Sequence, residues 1–361
     1  MSRVYNFNPG PAVLPLPVLT QVQSELLDYQ GRGMSILEMS HRSKEYEAIN
    51  SQAEARIKAL LGLGSDYRVL FLQGGASFQF AMIPLNLLPA GATADYILTG
   101  AWSEKALEEA QKLGQARVAG STREENYKRI PTASELTIGD QPAYVHLTSN
   151  NTIFGTQWAT FPDVGDAPLI ADMCSDILSR PIDANRFAMI YAGAQKNMGP
   201  AGVTVVIMRQ SLIDRAPKSL PAILSYATHA KNNSLYNTPP AFAVYMTNLV
   251  LGWLEAQGGL AAVEQVNRQK AGYVYTAIDT SGGFYRGHAT LDSRSLMNIT
   301  FRLPDETLEK KFVAEATAAG MVGLGGHRSV GGIRASIYNA LVPEACTTLA
   351  SFMGEFVRQN G

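Results

Sequence analysis

The chain has 361 residues, 46% of them hydrophobic and 17% charged, which is enough apolar material for a large interior and for two domains. The formal net charge of −1 gives no electrostatic footprint for nucleic acid or an anionic membrane, so any anionic ligand must be held by local clusters of cations. No apolar stretch approaches the roughly 20 residues of a membrane-spanning helix, and the N-terminus lacks the basic and apolar segments of a secretory signal.

The predicted elements begin with an irregular arm at residues 1–15, where proline and glycine are frequent. Apolar spacing then predicts one helix over residues 16–29 and another over residues 46–61, which ends at Gly62. Beyond this point short apolar runs alternate with helical patterns. The runs that predict strands are YRVLFL, ADYILT, AYVHLTSN, APLIADM, RFAMIYAG and GVTVVIM, and helices are predicted over residues 80–88 and 104–113.

This alternation indicates an α/β fold whose large domain, residues 16–258, contains a mostly parallel sheet. The character of the sequence changes after a helical pattern at residues 240–255, and we expect a second, smaller α/β domain at residues 259–361. The predicted elements of this smaller domain are helices over residues 260–278 and 307–319, the strands LMNITFRL and IRASIY, and a closing helix from Pro343.

Polar residues follow several of the predicted strands directly. Open α/β sheets bind ligands in the crevice at the carboxyl ends of their strands, so these residues are the candidates for a functional site. The candidates are Gly74, Gly75, Ala76, Ser77, Trp102, Ser149, Asn150, Asn151, Thr152, Asp172, Gln195 and Lys196.

Two of these candidates fit a cofactor that carries a carbonyl group and a ring nitrogen. Lys196 lies among small and apolar residues in AQKNMGPAG, where its amine is a candidate nucleophile, although a surface hairpin with a lysine at its tip has the same local pattern. Asp172 ends the run APLIAD and is either the cap of the next element or the partner of a pyridinium N–H. Their separation of 24 positions leaves room for both to reach one crevice.

The turn QGGAS and Trp102 add two further contacts. A Gly-Gly turn between a strand and a helix offers backbone N–H groups to a phosphate, and the same turn also occurs without a ligand. A tryptophan at a strand–helix turn either packs in the interior or stacks on a flat ring.

Two HRS motifs, at residues 41–43 and 327–329, and Arg334 supply cations. Arginine in a glycine-rich loop is commonly a solvated surface charge, but three arginines in a nearly neutral chain fit a clamp for carboxylate and phosphate groups. With the lysine, the aspartate, the glycine turn and the tryptophan, they form the set that pyridoxal phosphate and a dianionic substrate require.

The ordered motifs along the chain resemble those of the phosphoserine aminotransferase family, which are class-V, fold-type I pyridoxal-phosphate enzymes. The motifs are FNPGPA, MSHRS, QGGAS, TGAWS, SNNTI, ADM, AQKNMGPAG, NTPP and GHRSVGGIRASIYNA, and they extend over residues 7–340. The resemblance implies a seven-stranded sheet, pyridoxal phosphate and a homodimer with shared active sites. It further implies conversion of 3-phosphohydroxypyruvate and glutamate to phosphoserine and 2-oxoglutarate for serine biosynthesis, and in many bacteria a second role in pyridoxine biosynthesis.

The resemblance also implies a role for each matching residue. Lys196 matches the Schiff-base lysine, Asp172 the partner of the pyridine nitrogen and Trp102 the ring stacker. The other cofactor residues it implies are Ala76, Ser77 and Gln195 at the phosphate, Thr152 at the phenolic oxygen, and Asn237 and Thr238 at the phosphate of the neighbouring subunit. The implied substrate residues are Arg334 for the α-carboxylate and His41, Arg42, His327 and Arg328 for the distal phosphate or carboxylate.

Two departures from the family pattern affect only the clamp. Gly325 stands where many relatives have a larger polar residue, and the phosphate loop has Ala76 and Ser77 where some relatives have a Gly-Arg pair. Two alternatives stay open: a desulfurase-like or alanine–glyoxylate-type enzyme with the same cofactor, and a phosphometabolite-binding protein without catalysis. Cys174 and Cys346 have no metal-ligand spacing, so we expect no metal and a reduced, cytoplasmic chain.

Overall fold

The structure, a computed structural model, describes residues 3–361, and a seven-stranded sheet lies at its centre. Six strands run parallel, and Thr204–Arg209 is antiparallel to both of its neighbours. The mostly parallel sheet predicted from the sequence is therefore confirmed. The strands lie in the order Tyr67–Leu72, Thr204–Arg209, Met189–Gly193, Leu169–Asp172, Val145–Thr148, Thr93–Leu98 and Gln115–Ser121.

Helices cover both faces of this sheet, which explains why its central strands are continuous apolar runs rather than alternating ones. Alternate residues of one strand enter different cores: Val69 and Phe71 pack on one face, and Leu70 and Leu72 on the other. The helices of this part of the chain are Leu16–Glu25, Lys44–Leu61, Gly75–Leu87, Ala101–Leu113, Gln210–Ile213, Tyr226–Lys231 and Ala241–Ala256.

The sequence analysis did not predict the strand Gln115–Ser121. This strand is at the edge of the sheet, and only Ala119 and Gly120 in it are buried. An edge strand that keeps most of its side chains in water has no continuous apolar run, so the pattern used for the other strands does not find it.

The C-terminal part of the chain forms its own core around a three-stranded antiparallel sheet. Its strands are Arg286–Gly287, Asn298–Arg302 and Ile333–Ser336, and its helices are Gly259–Asp279, Glu306–Ala318 and Pro343–Asn360. The helix Gly259–Asp279 begins where the sequence analysis divides the domains, and that division stays a prediction.

The N-terminal arm has more order than its composition indicates. Tyr5–Asn6 forms a short parallel pair with Met321–Val322, and Phe7 is fully buried in the C-terminal core. The arm next extends to the end of the large sheet, where the carbonyl of Pro9 accepts a hydrogen bond from the Tyr338 hydroxyl at 2.8 Å. In the part of the chain from residue 3 onwards, no helix has the length and apolar character needed to cross a bilayer.

Candidate active site

A cavity of about 290 Å³ lies at the carboxyl ends of the parallel strands. The ends of five strands of the large sheet, with the segments that follow them, contribute to its walls, as do the arm and the C-terminal part of the chain. Most of the predicted site residues meet there: Ala76, Ser77, Trp102, Thr152, Asp172, Gln195, Lys196, His327 and Arg334 all line the cavity.

We call the buried base of this cavity the floor; it consists of Thr148, Asn150, Asp172, Cys174 and Ser175. Asp172 ends its strand, and one carboxylate oxygen accepts the backbone N–H of Cys174 at 2.9 Å. Burial is the main influence on this carboxylate, and it raises the pKa of Asp172 above its ordinary value. A cationic ring nitrogen bound at the floor would compensate that loss of solvation.

A hydrogen-bond network fixes the floor from behind. The Asn150 side-chain amide donates to Ser175 Oγ at 2.7 Å and to Asn298 Oδ1 at 2.8 Å. Asn298 in turn donates to Ser336 Oγ at 2.9 Å and to the Tyr338 hydroxyl at 3.1 Å. The network therefore connects the large sheet to the C-terminal part of the chain directly beneath the cavity.

Lys196 reaches the cavity from the turn after the strand Met189–Gly193. Its Nζ donates to Thr152 Oγ1 at 2.8 Å, so two residues that the sequence analysis named separately are in contact. Gly10 of the arm packs on the lysine side chain at φ +134°, and a Cβ there would lie 3.2 Å from Lys196 Cγ. The arm therefore restricts the directions in which this amine can point.

The helix Gly75–Leu87 begins at the cavity wall with no side-chain cap. The first N–H groups of a helix have no acceptor within it, and the helix dipole is positive at this end. The cavity-lining residues Gly75, Ala76 and Ser77 belong to that first turn. This end of the cavity is therefore suited to an anion such as phosphate.

Arg334 places an unpaired guanidinium in the wall. It is only 7% exposed, and its one hydrogen bond is from Nη1 to the carbonyl of Thr152 at 3.3 Å. Its Nε is buried without a partner, and no carboxylate in residues 3–361 forms an ion pair with it. Burial lowers the pKa of Arg334 from its ordinary value. A buried cation without an anion is costly, and a bound carboxylate would supply the missing partner.

The loop at residues 325–332, which we call the 325–332 loop, carries His327 and Arg328 at the mouth of the cavity. Its base is held by Glu309, which accepts from Arg302 Nε at 2.5 Å and from the Gly332 N–H at 3.2 Å. Arg302 also donates to the carbonyl of Val330 at 3.0 Å. The sequence motifs do not identify Arg302 or Glu309 as residues of the site.

Within the loop, Nδ1 of the His327 imidazole lies 2.6 Å from Ser329 Oγ and accepts the backbone N–H of Ser329 at 3.2 Å. A neutral ring that accepts at Nδ1 carries its proton on Nε2. Desolvation, followed by the charges of Arg334, Arg328 and Lys105, lowers the pKa of His327. The mouth of the cavity is therefore a cluster of cations around a neutral hydrogen-bond donor.

Five predicted residues do not line the cavity of their own chain. Arg328 is exposed beside it, on the same loop as His327. His41 and Thr238 line a separate open groove of about 560 Å³. Arg42 is exposed, and Asn237 contacts Gln73 and Thr238 instead of the cavity.

Cys174 is the floor residue on which a desulfurase-like reaction would depend. It is 8% exposed, its Sγ accepts the Gly193 N–H at 3.1 Å, and burial raises the pKa of its thiol. A thiol that is buried and held protonated is a poor nucleophile. The floor therefore does not support the desulfurase-like alternative, which needs a cysteine on a mobile loop.

The groups around the cavity fit pyridoxal phosphate. Uncapped N–H groups lie in the wall for the phosphate, the Asp172 carboxylate lies on the floor for the ring nitrogen, and Lys196 lines the same cavity for the aldehyde. Trp102 lines the wall, and its buried Nε1 has no partner among residues 3–361. The fold and the site together define a pyridoxal-phosphate-dependent transferase.

The chain belongs to the aminotransferase class-V family, whose model matches residues 4–347. It is similar to a phosphoserine aminotransferase from Herpetosiphon aurantiacus, with 61% identity over 99% of both chains. Among solved structures it is similar to phosphoserine aminotransferase from Bacillus circulans subsp. alkalophilus, with 58% identity, a TM-score of 0.98 and 99% coverage of both chains. The pyridoxal-phosphate-bound phosphoserine aminotransferase of Trichomonas vaginalis has 38% identity and a TM-score of 0.93, covering 98% of this chain and all of that one.

Proposed function

We propose that this chain is a phosphoserine transaminase, which moves an amino group from L-glutamate to 3-phosphohydroxypyruvate and yields O-phospho-L-serine and 2-oxoglutarate. The observation that carries the proposal is the convergence of Lys196, Asp172 and the unpaired Arg334 on one cavity. The full-length similarity to phosphoserine aminotransferases at 61% identity supports the choice of substrates. A binding protein without catalysis would not need the lysine and the aspartate at the two sides of this cavity.

Six residues of the cavity are proposed to hold the cofactor. Asp172 would pair with the ring nitrogen and Trp102 would cover one face of the ring. Ala76, Ser77 and Gln195 would hold the phosphate, and Thr152 would lie near the phenolic oxygen. Pyridoxal phosphate, when bound, supplies an electron sink for the charge that develops at the α-carbon of the amino acid.

Lys196 is the proposed catalytic base and nucleophile, and it is the only lysine among the described residues that line the cavity. The Thr152 hydroxyl accepts its hydrogen bond at 2.8 Å and so aims Nζ into the cavity. An amine held in this position can bind the aldehyde carbon, and once released it can carry the proton of the substrate's α-carbon.

The cations divide between the two anionic ends of the substrate. Arg334, buried in the wall beside Thr152, is the proposed partner of the α-carboxylate. His327 and Arg328 are the proposed partners of the distal phosphate of one substrate and of the distal carboxylate of the other. Glutamate and 3-phosphohydroxypyruvate both have two anionic ends, so one set of cations serves both halves of the reaction.

A substitution at Lys196 tests this function. Lys196→Ala should lower kcat by about 100-fold or more, because both the nucleophile and the proton carrier are lost. The measurement is a steady-state assay with glutamate and 3-phosphohydroxypyruvate, and Lys218→Ala, which changes an exposed lysine, is the matched control. Near-normal turnover in Lys196→Ala, or a wild-type preference for plain pyruvate, would overturn the proposal.

We also propose a homodimer in which each subunit completes the other's site. His41, Arg42, Asn237 and Thr238 lie outside the cavity of their own chain, although the resemblance gives each of them a role in the site. His41 and Thr238 line an open groove whose walls include the exposed side chain of Leu37, and Arg42 and Asn237 are their neighbours in sequence. A second copy seated on this face would bury the groove and bring these residues to the neighbouring cavity.

Mixing two inactive variants tests the shared site. In a hybrid dimer of Lys196→Ala and Arg42→Ala subunits, one of the two sites keeps both native residues if Arg42 acts across the interface. Random exchange should therefore restore up to about a quarter of the wild-type activity. No recovery in hybrids verified by mass would mean that Arg42 acts within its own chain.

A cytoplasmic location completes the proposal. Cys174 and Cys346 are both buried and unpaired, as is common in a reducing compartment. The role in pyridoxine biosynthesis stays a prediction from the resemblance.

A further inference from the structure

Lys105 is an exposed cation beside the cavity wall, and neither the motifs nor the proposed mechanism uses it. It lies three residues after Trp102 on the helix Ala101–Leu113, so the two side chains share one face of that helix. Its Nζ is 4.9 Å from the centroid of the Trp102 ring, and Trp102 lines the cavity. Lys105 is therefore held beside the site by a cation–π contact.

The acidic residues nearest to Lys105 in sequence are Glu104, Glu108 and Glu109, and none of them forms an ion pair with it. Glu104 accepts the Tyr127 hydroxyl at 2.6 Å and pairs with Arg123 at 3.3 Å. Glu109, one turn further along the helix, pairs with Lys112 at 2.7 Å. Within residues 3–361 Lys105 forms no ion pair, so its charge is available to a ligand.

The charge of Lys105 acts on His327, a proposed partner of the substrate's distal group. It is one of three cations, with Arg334 and Arg328, that lower the pKa of His327. His327 lies at the cavity mouth with its Nε2 proton free to donate. A positive charge that disfavours the protonated form of His327 attracts an anion bound beside that residue.

We propose that Lys105 is a specificity-determining residue that favours a phosphate over a carboxylate at the distal end of the substrate. This inference rests on the proposed function. A phosphate monoester carries a charge of about −1.5 to −2 near neutral pH, whereas a carboxylate carries one negative charge. An additional cation at the mouth therefore stabilises bound 3-phosphohydroxypyruvate or phosphoserine more than it stabilises glutamate or 2-oxoglutarate.

Kinetics of Lys105→Gln test the proposal. The KM for 3-phosphohydroxypyruvate should rise about three- to tenfold at low salt, because an exposed charge contributes modestly, and the increase should shrink at high salt. The KM for glutamate should change less, and Lys105→Arg should restore the wild-type ratio. Lys112→Gln, on the same helix but paired with Glu109, is the matched control. Equal increases for both substrates, or no increase, would overturn the proposal.

A second measurement does not depend on turnover. The chain has five histidines, so the NMR signal of His327 can be assigned from its loss in His327→Gln. Lys105→Gln should raise the pKa of His327, because one of the cations that lower it is removed. It should also weaken the binding of inorganic phosphate seen at the same signal. An unchanged pKa with unchanged phosphate binding would refute the role of Lys105 even if the wild-type enzyme used other substrates.

Discussion

Polar side chains have opposite environments on the floor of the cavity and in the 325–332 loop. On the floor, Asp172 and Asn150 are buried, and backbone or side-chain partners fix them in position. In the loop, Arg328 is exposed and His327 is half-buried, and the loop is held by Arg302 and Glu309 at its base and by the packing of Val330 on the core. The difference indicates that the floor residues take part in the reaction and need fixed positions. The loop residues recognise the substrate, and their positions can be adjusted.

The largest effect that separates the two regions is expected at Asp172. Asp172→Asn keeps the shape but removes the charge opposite the ring nitrogen, and kcat should fall by about 100- to 1,000-fold. Because burial raises the pKa of Asp172, the affinity of the apoprotein for pyridoxal phosphate should decline with falling pH from above the usual aspartate range. Fluorescence titrations across pH measure this, and the decline should be absent in Asp172→Asn. An identical pH profile in both proteins would place the titrating group elsewhere.

Arg334 has features of both regions, because its side chain is buried like those of the floor but has no ionic partner among the described residues. A substitution of Arg334 therefore tests whether this residue acts on both substrates or on one. Arg334→Gln should lower kcat/KM by about 10- to 100-fold for both glutamate and 3-phosphohydroxypyruvate, since both carry an α-carboxylate and charged hydrogen bonds are strong. Arg286→Gln changes an arginine outside the cavity and serves as the control. A loss confined to one substrate would assign Arg334 to the distal group instead.

The smallest effect is expected at the base of the loop. Glu309→Gln removes the ion pair with Arg302 and weakens the acceptor of the Gly332 N–H, so the loop should be less well placed. The KM for 3-phosphohydroxypyruvate should rise about two- to fivefold with kcat little changed, because a partly exposed ion pair contributes little. Glu306→Gln, at an exposed position of the same helix, is the control. A fall in kcat with unchanged KM would contradict the separation of chemistry from recognition.

The sequence predicted the floor better than the mouth, and the reason is physical. Asp172 and Lys196 follow buried strands whose apolar runs are unambiguous, so the topology of a parallel sheet brings them together. Cys174 was not assigned to the site, and Asn150 was a candidate without a role, because their functions come from hydrogen bonds that no local pattern encodes.

The mouth depends on contacts between distant segments. Lys105 sits on a helix whose charged face looks like any solvated surface, and its proximity to His327 follows only from the tertiary fold. The pair of Arg302 and Glu309 likewise joins a strand to a helix in support of a loop further along the chain. Periodicity identifies elements, but it does not specify which side chains of different elements meet.

The short pairing of Tyr5–Asn6 with Met321–Val322 has a consequence for the biosynthesis of the protein. The ribosome releases the N-terminal residues first, yet their partner strand is made only when nearly the whole chain has been translated. Until then the arm that carries Pro9 and Gly10 lacks this strand partner, although the Gln195 carbonyl that accepts the Ala12 N–H is already present. A nascent chain arrested before residue 321 would therefore contain the complete central sheet but not the strand pair that fixes the arm beside Lys196. The N-terminal arm is therefore synthesised early but is among the last segments to take its place in the active site.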